Sequence, residues 1–256
     1  MTTFRHPFGH VQVPARMVSL GSRATISEWR LVKQQMSNLS LKVLNQKAGK
    51  AVACNYCFMS DRMREWGIVP QRPMDRPDDL PMLPWVGERY FAARPRVVIM
   101  MLNPGHAAAA HKLTRKELGQ QFRSGKIDYV QYNKRLTPLV PEWGFGKVVR
   151  WLRAVRLDPD TIAFLNVALC AVAKDKYFLG LFKACFERHT RNIVASLKPD
   201  IVLLCGKKDL KPFVGQIESI SPKVILTWHY RPMDTDRGKA ELERVRIELE
   251  RLTARC

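Results

Sequence analysis

The sequence predicts an α/β protein: a three-layer αβα arrangement around a central four-stranded parallel sheet, with an N-terminal helical extension. Three observations predict it. Val97 to Leu102 is an unbroken apolar run that stops at Asn103-Pro104-Gly105, the pattern of a strand buried on both faces and ending in a tight loop. Runs of the same kind recur at Thr161–Leu165, Asp200–Leu204 and Lys223–Thr227. Segments of helical period separate them, and strand–helix alternation argues for parallel strands covered on both sides.

Taken in order, residues 1–25 have no period and read as a surface arm. Ile26 to Lys47 reads as a helix: Ser27 stands at its start as a cap, and Trp29, Val32, Met36, Leu39 and Val43 recur at helical spacing. Cys54-Asn-Tyr-Cys57 follows, then a short helix from Ser60 to Trp66 ending at Gly67. Residues 68–95 carry Pro70, Pro73, Pro77, Pro81 and Pro84 and read as an irregular connection outside the core. Two parts are therefore expected: residues 1–50 as an arm and helix packed on the core, and residues 51–256 as the α/β domain.

The first strand, 96–102, opens the sheet. Residues 107–142 are polar and basic (Lys112, Arg115, Lys116, Arg123, Lys126, Lys134, Arg135) with some helical character. Gly146 to Arg156 places Val148, Val149, Leu152 and Val155 on one face, as a crossover helix does, and Asp158-Pro159 ends it. After the second strand, which ends at Asn166, Phe178 to Leu197 reads as a long helix with Phe182, Cys185, His189 and Ile193 in line. The third strand ends at Cys205-Gly206 and the fourth at Trp228-His229. Lys239 to Leu252 closes the chain as an amphipathic helix burying Leu242, Val245, Leu249 and Leu252. No internal repeat is visible.

Charge narrows the partners. Lys and Arg number 43 against 23 Asp and Glu, a formal net charge of +20. Such an excess favours polyphosphate, because each phosphate neutralised releases counterions. A basic protein with no nucleic-acid role is the bland alternative. No basic amphipathic helix has a clean apolar face, and no run reaches the ~18 apolar residues of a membrane span, so no membrane partner is expected. The first thirty residues hold Arg5, Arg16, Arg23 and Arg30 and no apolar signal core, so a cytoplasmic location is expected. In that reducing setting the six cysteines read as metal ligands or thiols rather than disulfides.

Two groups of residues carry candidate chemistry. Asn103, Asn166 and His229 stand at or just beyond the carboxyl ends of three strands, the edge where open α/β sheets build their sites. One polar residue at a strand end is commonplace; three on one edge are not. The second group is Cys54 and Cys57, whose two-residue gap lets both thiolates reach one metal, with Cys170 and Cys185 far downstream. Four thiolates suit an iron–sulfur cluster or a structural zinc, and buried cysteines with no metal are the alternative. Cys205 reads as a core thiol at a strand end and Cys256 as an exposed terminal one. No Gly-rich phosphate loop follows the first strand, which argues against a nucleotide-binding α/β enzyme.

With these residues in view, the chain from about Cys54 to Leu252 resembles the uracil-DNA glycosylase superfamily, especially its iron–sulfur branches. Cys54-x-x-Cys57, Cys170 and Cys185 follow the order of the cluster ligands there, with a longer middle gap. Phe164-Leu-Asn-Val-Ala-Leu-Cys170 is similar to the segment in which a base-reading Asn precedes the third ligand. Pro199 to Gly206 is similar to the third-strand segment, and Val224-Ile-Leu-Thr-Trp-His229 to the strand ending in the motif histidine. Met101-Leu-Asn-Pro-Gly105 is closest to the Gly-x-Asn-Pro-Gly of the mismatch-specific branch. The chain departs from the pattern in places: Met101 replaces a Gly, His229-Tyr-Arg-Pro replaces His-Pro-Ser, and 107–142 is longer than usual. Gly146-Lys147 matches the family's Gly-Lys, but the expected aromatic is one position off.

The resemblance implies a monofunctional DNA glycosylase that flips a uracil, or a related damaged or modified pyrimidine, and hydrolyses its glycosidic bond. Asn103 would position the water and His229 would hydrogen-bond the base oxygen. Asn166 would read the base edge, Trp143 or Phe145 would stack on the base, and Gly105 would leave room for a larger one. Arg231, Lys207, Lys208 and Lys211 would hold phosphates. A 4Fe-4S cluster on Cys54, Cys57, Cys170 and Cys185 is implied, with structural zinc the alternative, in a chain expected to act as a monomer. A bulky modified cytosine in foreign DNA is the variant substrate, and a non-catalytic DNA-binding protein of the same fold is the competing class.

Overall fold

The computed structural model describes residues 40–54, 56, 81–102, 109–143, 146–170, 179–229 and 234–254, with side chains omitted at 109–113 and 115. The expectations at Asn103, Gly105, Phe145, Arg231 and Cys57, the arm, the 60–66 helix and the start of the first helix lie outside these residues. The chain divides into two units, Met1–Asn38, which is not among the described residues, and Leu39–Cys256.

The second unit is α/β around a mixed, mostly parallel sheet. Its five strands are β1 (Trp85–Val86), β2 (Val97–Met101), β3 (Ile162–Asn166), β4 (Ile201–Cys205) and β5 (Val224–Thr227), in the spatial order β1-β3-β2-β4-β5. β3, β2, β4 and β5 run parallel, while β1 pairs antiparallel with β3. Every residue of β2, β3 and β4 is buried. Both faces are therefore covered, as unbroken apolar strands require, and the arrangement is compatible with three αβα layers.

The sheet has five strands rather than four because the Pro-rich segment contributes one, which corrects the reading of 68–95 as a connection outside the core. Met82, Leu83, Trp85, Val86 and Tyr90 are buried. Trp85 lies opposite Phe164, and backbone bonds run on past the strand: Met82 N–H to Leu169 O at 2.7 Å, Gly87 N–H to Ile162 O and Arg89 N–H to Asp160 O, both 2.8 Å. Without this segment β3 would present an unpaired edge. Pro84 fits because an edge strand has one side whose N–H groups need no partner. Gly87 is required by proximity. A Cβ there would fall 2.5 Å from the carbonyl oxygens of both Pro159 and Asp160.

Helix α1 covers 40–52 and outruns the expected end at Lys47. Leu44, Ala48, Ala51 and Val52 are buried at helical spacing, and Asn45 accepts the Tyr129 backbone N–H at 2.8 Å, so burial carries the helix through Gly49. The 107–142 segment forms α2 (Ala109–Arg123), α3 (Tyr129–Leu136) and a 3-10 stretch, Thr137–Glu142. Asp128 and Gln131 close a reciprocal capping box on α3. The crossover helix α4 spans Lys147–Ala154 and buries Trp151 with Val148 and Leu152.

The long helix is α5, Leu179–Cys185, which continues through a π-helical segment, Phe186–Thr190, into Arg191–Leu197. Two short helices follow β4: α6 (Lys207–Leu210) and α7 (Val214–Glu218). Finally α8, Asp236–Thr253, is capped by Thr235 and buries Val245 and Leu249. Leu242 and Leu252 are only partly buried. No helix among the described residues is long and apolar enough to cross a membrane.

At the amino edge of the sheet, Arg96 and Asp200 clamp β2 to β4. Asp200 accepts the Arg96 backbone N–H at 2.7 Å and its guanidinium at 3.2 and 3.3 Å, and Asp200 N–H returns a bond to Arg96 O at 2.9 Å. Burial pushes the Asp200 carboxyl up, but the Arg96 hydrogen bonds and charge outweigh it and hold its pKa below the usual value. A depressed folded-state pKa stabilises the fold above the unfolded-state value and loses that contribution as pH falls through the folded one. The pair is partly exposed, so screening trims its contribution. Asp200→Asn is expected to cost about 1 kcal/mol at neutral pH. Urea titrations of both proteins should show the gap closing as pH drops below about 4.

Candidate active site and metal centre

The register of the parallel strands builds the carboxyl edge. Asn166, the last residue of β3, pairs with Met101, the last of β2. The two chains stay side by side beyond the sheet, with Val167 N–H bonded to Met101 O at 2.7 Å and Ala168 N–H to Leu102 O at 2.9 Å. Asn166 is 3% exposed, and its side-chain amide N–H points to the Met82 sulfur at 3.8 Å. A thioether is a weak acceptor. Met101, which stands where the resembled motif has Gly, is 6% exposed and pairs with Asn166 across the ladder.

Two strands away, β5 ends at Thr227, opposite Cys205. Gly206 N–H bonds to Thr227 O at 2.8 Å, and Gly206 takes φ +144°, a region that L side chains seldom enter. Beyond Thr227 the Trp228 ring lies under the Arg237 guanidinium, 4.1 Å from its centroid. His229 comes next, half-buried, with Nδ1 buried. Arg150 reaches both carboxylate oxygens of Asp234 at 3.0 Å. Chain is thus held on either side of residues 230–233. Lys207, Lys208 and Lys211 are exposed just past β4.

Trp143 is half-buried and packed. It meets Trp85 edge-on at 5.9 Å and Phe164 at 5.3 Å, so it braces β1 and β3. Cys205 is buried at the end of β4, where burial pushes its thiol up.

Of the four cysteines singled out, Cys54, Cys170 and Cys185 line one small cavity together with Ala51, Tyr56, Pro81, Leu169, Arg188 and His189. None of the three is in a disulfide. The positions come from α1's end, the segment after β3, and α5. Two bonds tie α5 to that segment: Leu169 N–H to Cys185 Sγ at 3.3 Å and Thr190 Oγ1–H to Val167 O at 2.8 Å. A backbone N–H aimed at sulfur stabilises a thiolate. Among the described residues, no three His, Cys, Asp or Glu side chains converge as ligands of a single ion.

Other side chains around this cavity escaped the sequence reading. The Arg188 guanidinium stacks 3.5 Å from the Tyr56 ring centroid. Burial first, and then Arg188, push the His189 pKa down. His189 was read in line with Cys185, four residues on along one helix, but was given no role there. Trp228 with Arg237 was also missed, because a cation–π pair nine residues apart leaves no periodic trace. No protein-family model matches the sequence, and no curated protein matches it.

Proposed function

We propose that this protein is a DNA glycosylase that hydrolyses the N-glycosidic bond of a flipped uracil, or a related damaged or modified pyrimidine. The observation that carries the reading is the meeting of Cys54, Cys170 and Cys185 at one cavity. These are distant in sequence, and the resemblance independently assigns them to one centre. The buried amide of Asn166 at the carboxyl edge, the half-buried His229 beyond β5 and the charge of +20 support it further.

In this reading the bond breaks with its electron pair leaving on the base, while water adds at the sugar carbon. Asn103 orients that water. A carboxamide is no base at neutral pH, so it contributes position and not proton abstraction. Asn166 offers both a donor and an acceptor to the base edge. His229 donates to the base oxygen as negative charge develops there. β3 and β5 lie three strand spacings apart, about 14 Å, so the loop after β5 has to carry His229 inward. Arg231, Lys207, Lys208 and Lys211 hold phosphates.

Cys54, Cys170 and Cys185, with Cys57 as the fourth ligand, would hold a 4Fe-4S cluster. Its contribution would be structural, tying α1's end to α5. Purified protein is expected to be brown and to contain iron and sulfide; a colourless protein with bound zinc would replace the cluster by the metal ion.

The test is a panel of duplex and single-stranded oligonucleotides bearing uracil, a thymine mismatch or hydroxymethylcytosine, at low salt. Release of free base and an alkali-labile abasic site are expected from at least one. A second reading, DNA binding without catalysis, has one observation in its favour: a buried Met101 pairs with Asn166 where the resembled motif has Gly. Tight binding to abasic or uracil DNA with no base released from any substrate would select it.

A further inference from the structure

We propose that His189 donates a hydrogen bond, through Nε2, to a sulfur of the metal–sulfur centre held by Cys54, Cys170 and Cys185; the inference rests on the reading of that cavity given above. His189 lines the same cavity as the three cysteines. Its Nε2 is buried and meets no hydrogen-bond partner among the described residues. Buried polar atoms are seldom left this way, and each one asks for an absent partner. A sulfur of a bound centre is such a partner at this position.

The helix geometry is a second, independent observation. The segment Phe186–Thr190, which carries His189, is π-helical. Such segments are rare and concentrate at functional sites. This one is pinned on both sides of the cavity by the Leu169 N–H to Cys185 bond and the Thr190 hydroxyl to Val167 bond. The backbone that carries His189 is therefore tied to the segment after β3. The role is donor and not ligand, because Cys54, Cys57, Cys170 and Cys185 would already supply the four ligands of the centre.

A hydrogen bond to a cluster sulfur stabilises the more negative, reduced state and raises the reduction potential. The test uses the full chain purified without oxygen, as wild type, His189→Leu, His189→Gln and Cys185→Ser. Iron and sulfide content, the reduction potential of protein films with DNA present, and the rate of bleaching by a mild oxidant are measured. His189→Leu is expected to keep wild-type iron and sulfide, shift the potential negative and bleach several-fold faster. His189→Gln, which retains an N–H, should recover part of both shifts. An unchanged potential and bleaching rate in His189→Leu overturns the proposal, as does loss of iron as complete as in Cys185→Ser. Absence of iron and sulfide from the wild type would instead remove the underlying reading of the cavity.

Discussion

Asn166→Ala is expected to slow base release by about 10²- to 10³-fold, the loss typical when one preorganised donor is removed from a reacting group. The effect should appear in single-turnover release from the best substrate of the panel. Stability should change little. The Asn166 side chain is buried, but the bond it gives up within the described core is the weak one to Met82 sulfur. Truncation there costs about 1 kcal/mol of packing, and the melting temperature should fall by about 2–4 °C. A variant that melts a few degrees lower and releases base at the wild-type rate would remove Asn166 from the site.

Gly87→Ala carries the largest expected effect on the fold. The new methyl would stand 2.5 Å from the backbone of Pro159 and Asp160, and no side chain is available to swing aside. Either the 159–160 turn or β1 must move. Both options break the bonds from Gly87 to Ile162 and from Arg89 to Asp160 and disturb the Arg89–Asp158 ion pair. Overpacking against a rigid neighbour plus the lost backbone bonds should destabilise by about 3 kcal/mol or more, lowering the melting temperature by roughly 6–12 °C. Gly49→Ala is the matched control. A Cβ there meets nothing within 4 Å, and within helix α1 alanine should be neutral or stabilise by up to about 1 kcal/mol. Differential scanning calorimetry of the two variants separates crowding from a general intolerance of substitution.

The parallel strands were legible because burial on both faces leaves uninterrupted apolar runs, and β2, β3 and β4 each match one. Their ends shifted by a residue. Arg96 and Asp200 are spent on the clamp between strands, and Asn166 and Cys205 still pair within the ladder. β1 was not legible: two residues between Pro84 and Gly87 have no period, and their partners Phe164 and Ala163 are remote in sequence. The end of α1 was expected at Lys47; tertiary burial of Ala51 and Val52 carries the helix past Gly49, whose propensity opposes it. Among the candidate residues, Asn166 is the last residue of β3, His229 follows β5 by two residues, and Cys54, Cys170 and Cys185 line one cavity. The role of Trp143 as a brace depends on Trp85, which the sequence reading had left outside the core.

The π-helical segment also constrains what this chain can lose. An α-helix advances about 100° per residue, and a π-helical turn takes up one residue more than an α-helical one. Deleting a single residue between Phe186 and Thr190 would therefore let the helix return to regular winding with the phase of everything after it preserved. Ile193, Val194 and Leu197, now wholly enclosed, would stay in the interior, and Leu197 O would keep the Tyr90 hydroxyl that donates to it at 3.2 Å. The same deletion placed after Thr190 would find no such slack and would turn those three side chains out of the interior by about 100°.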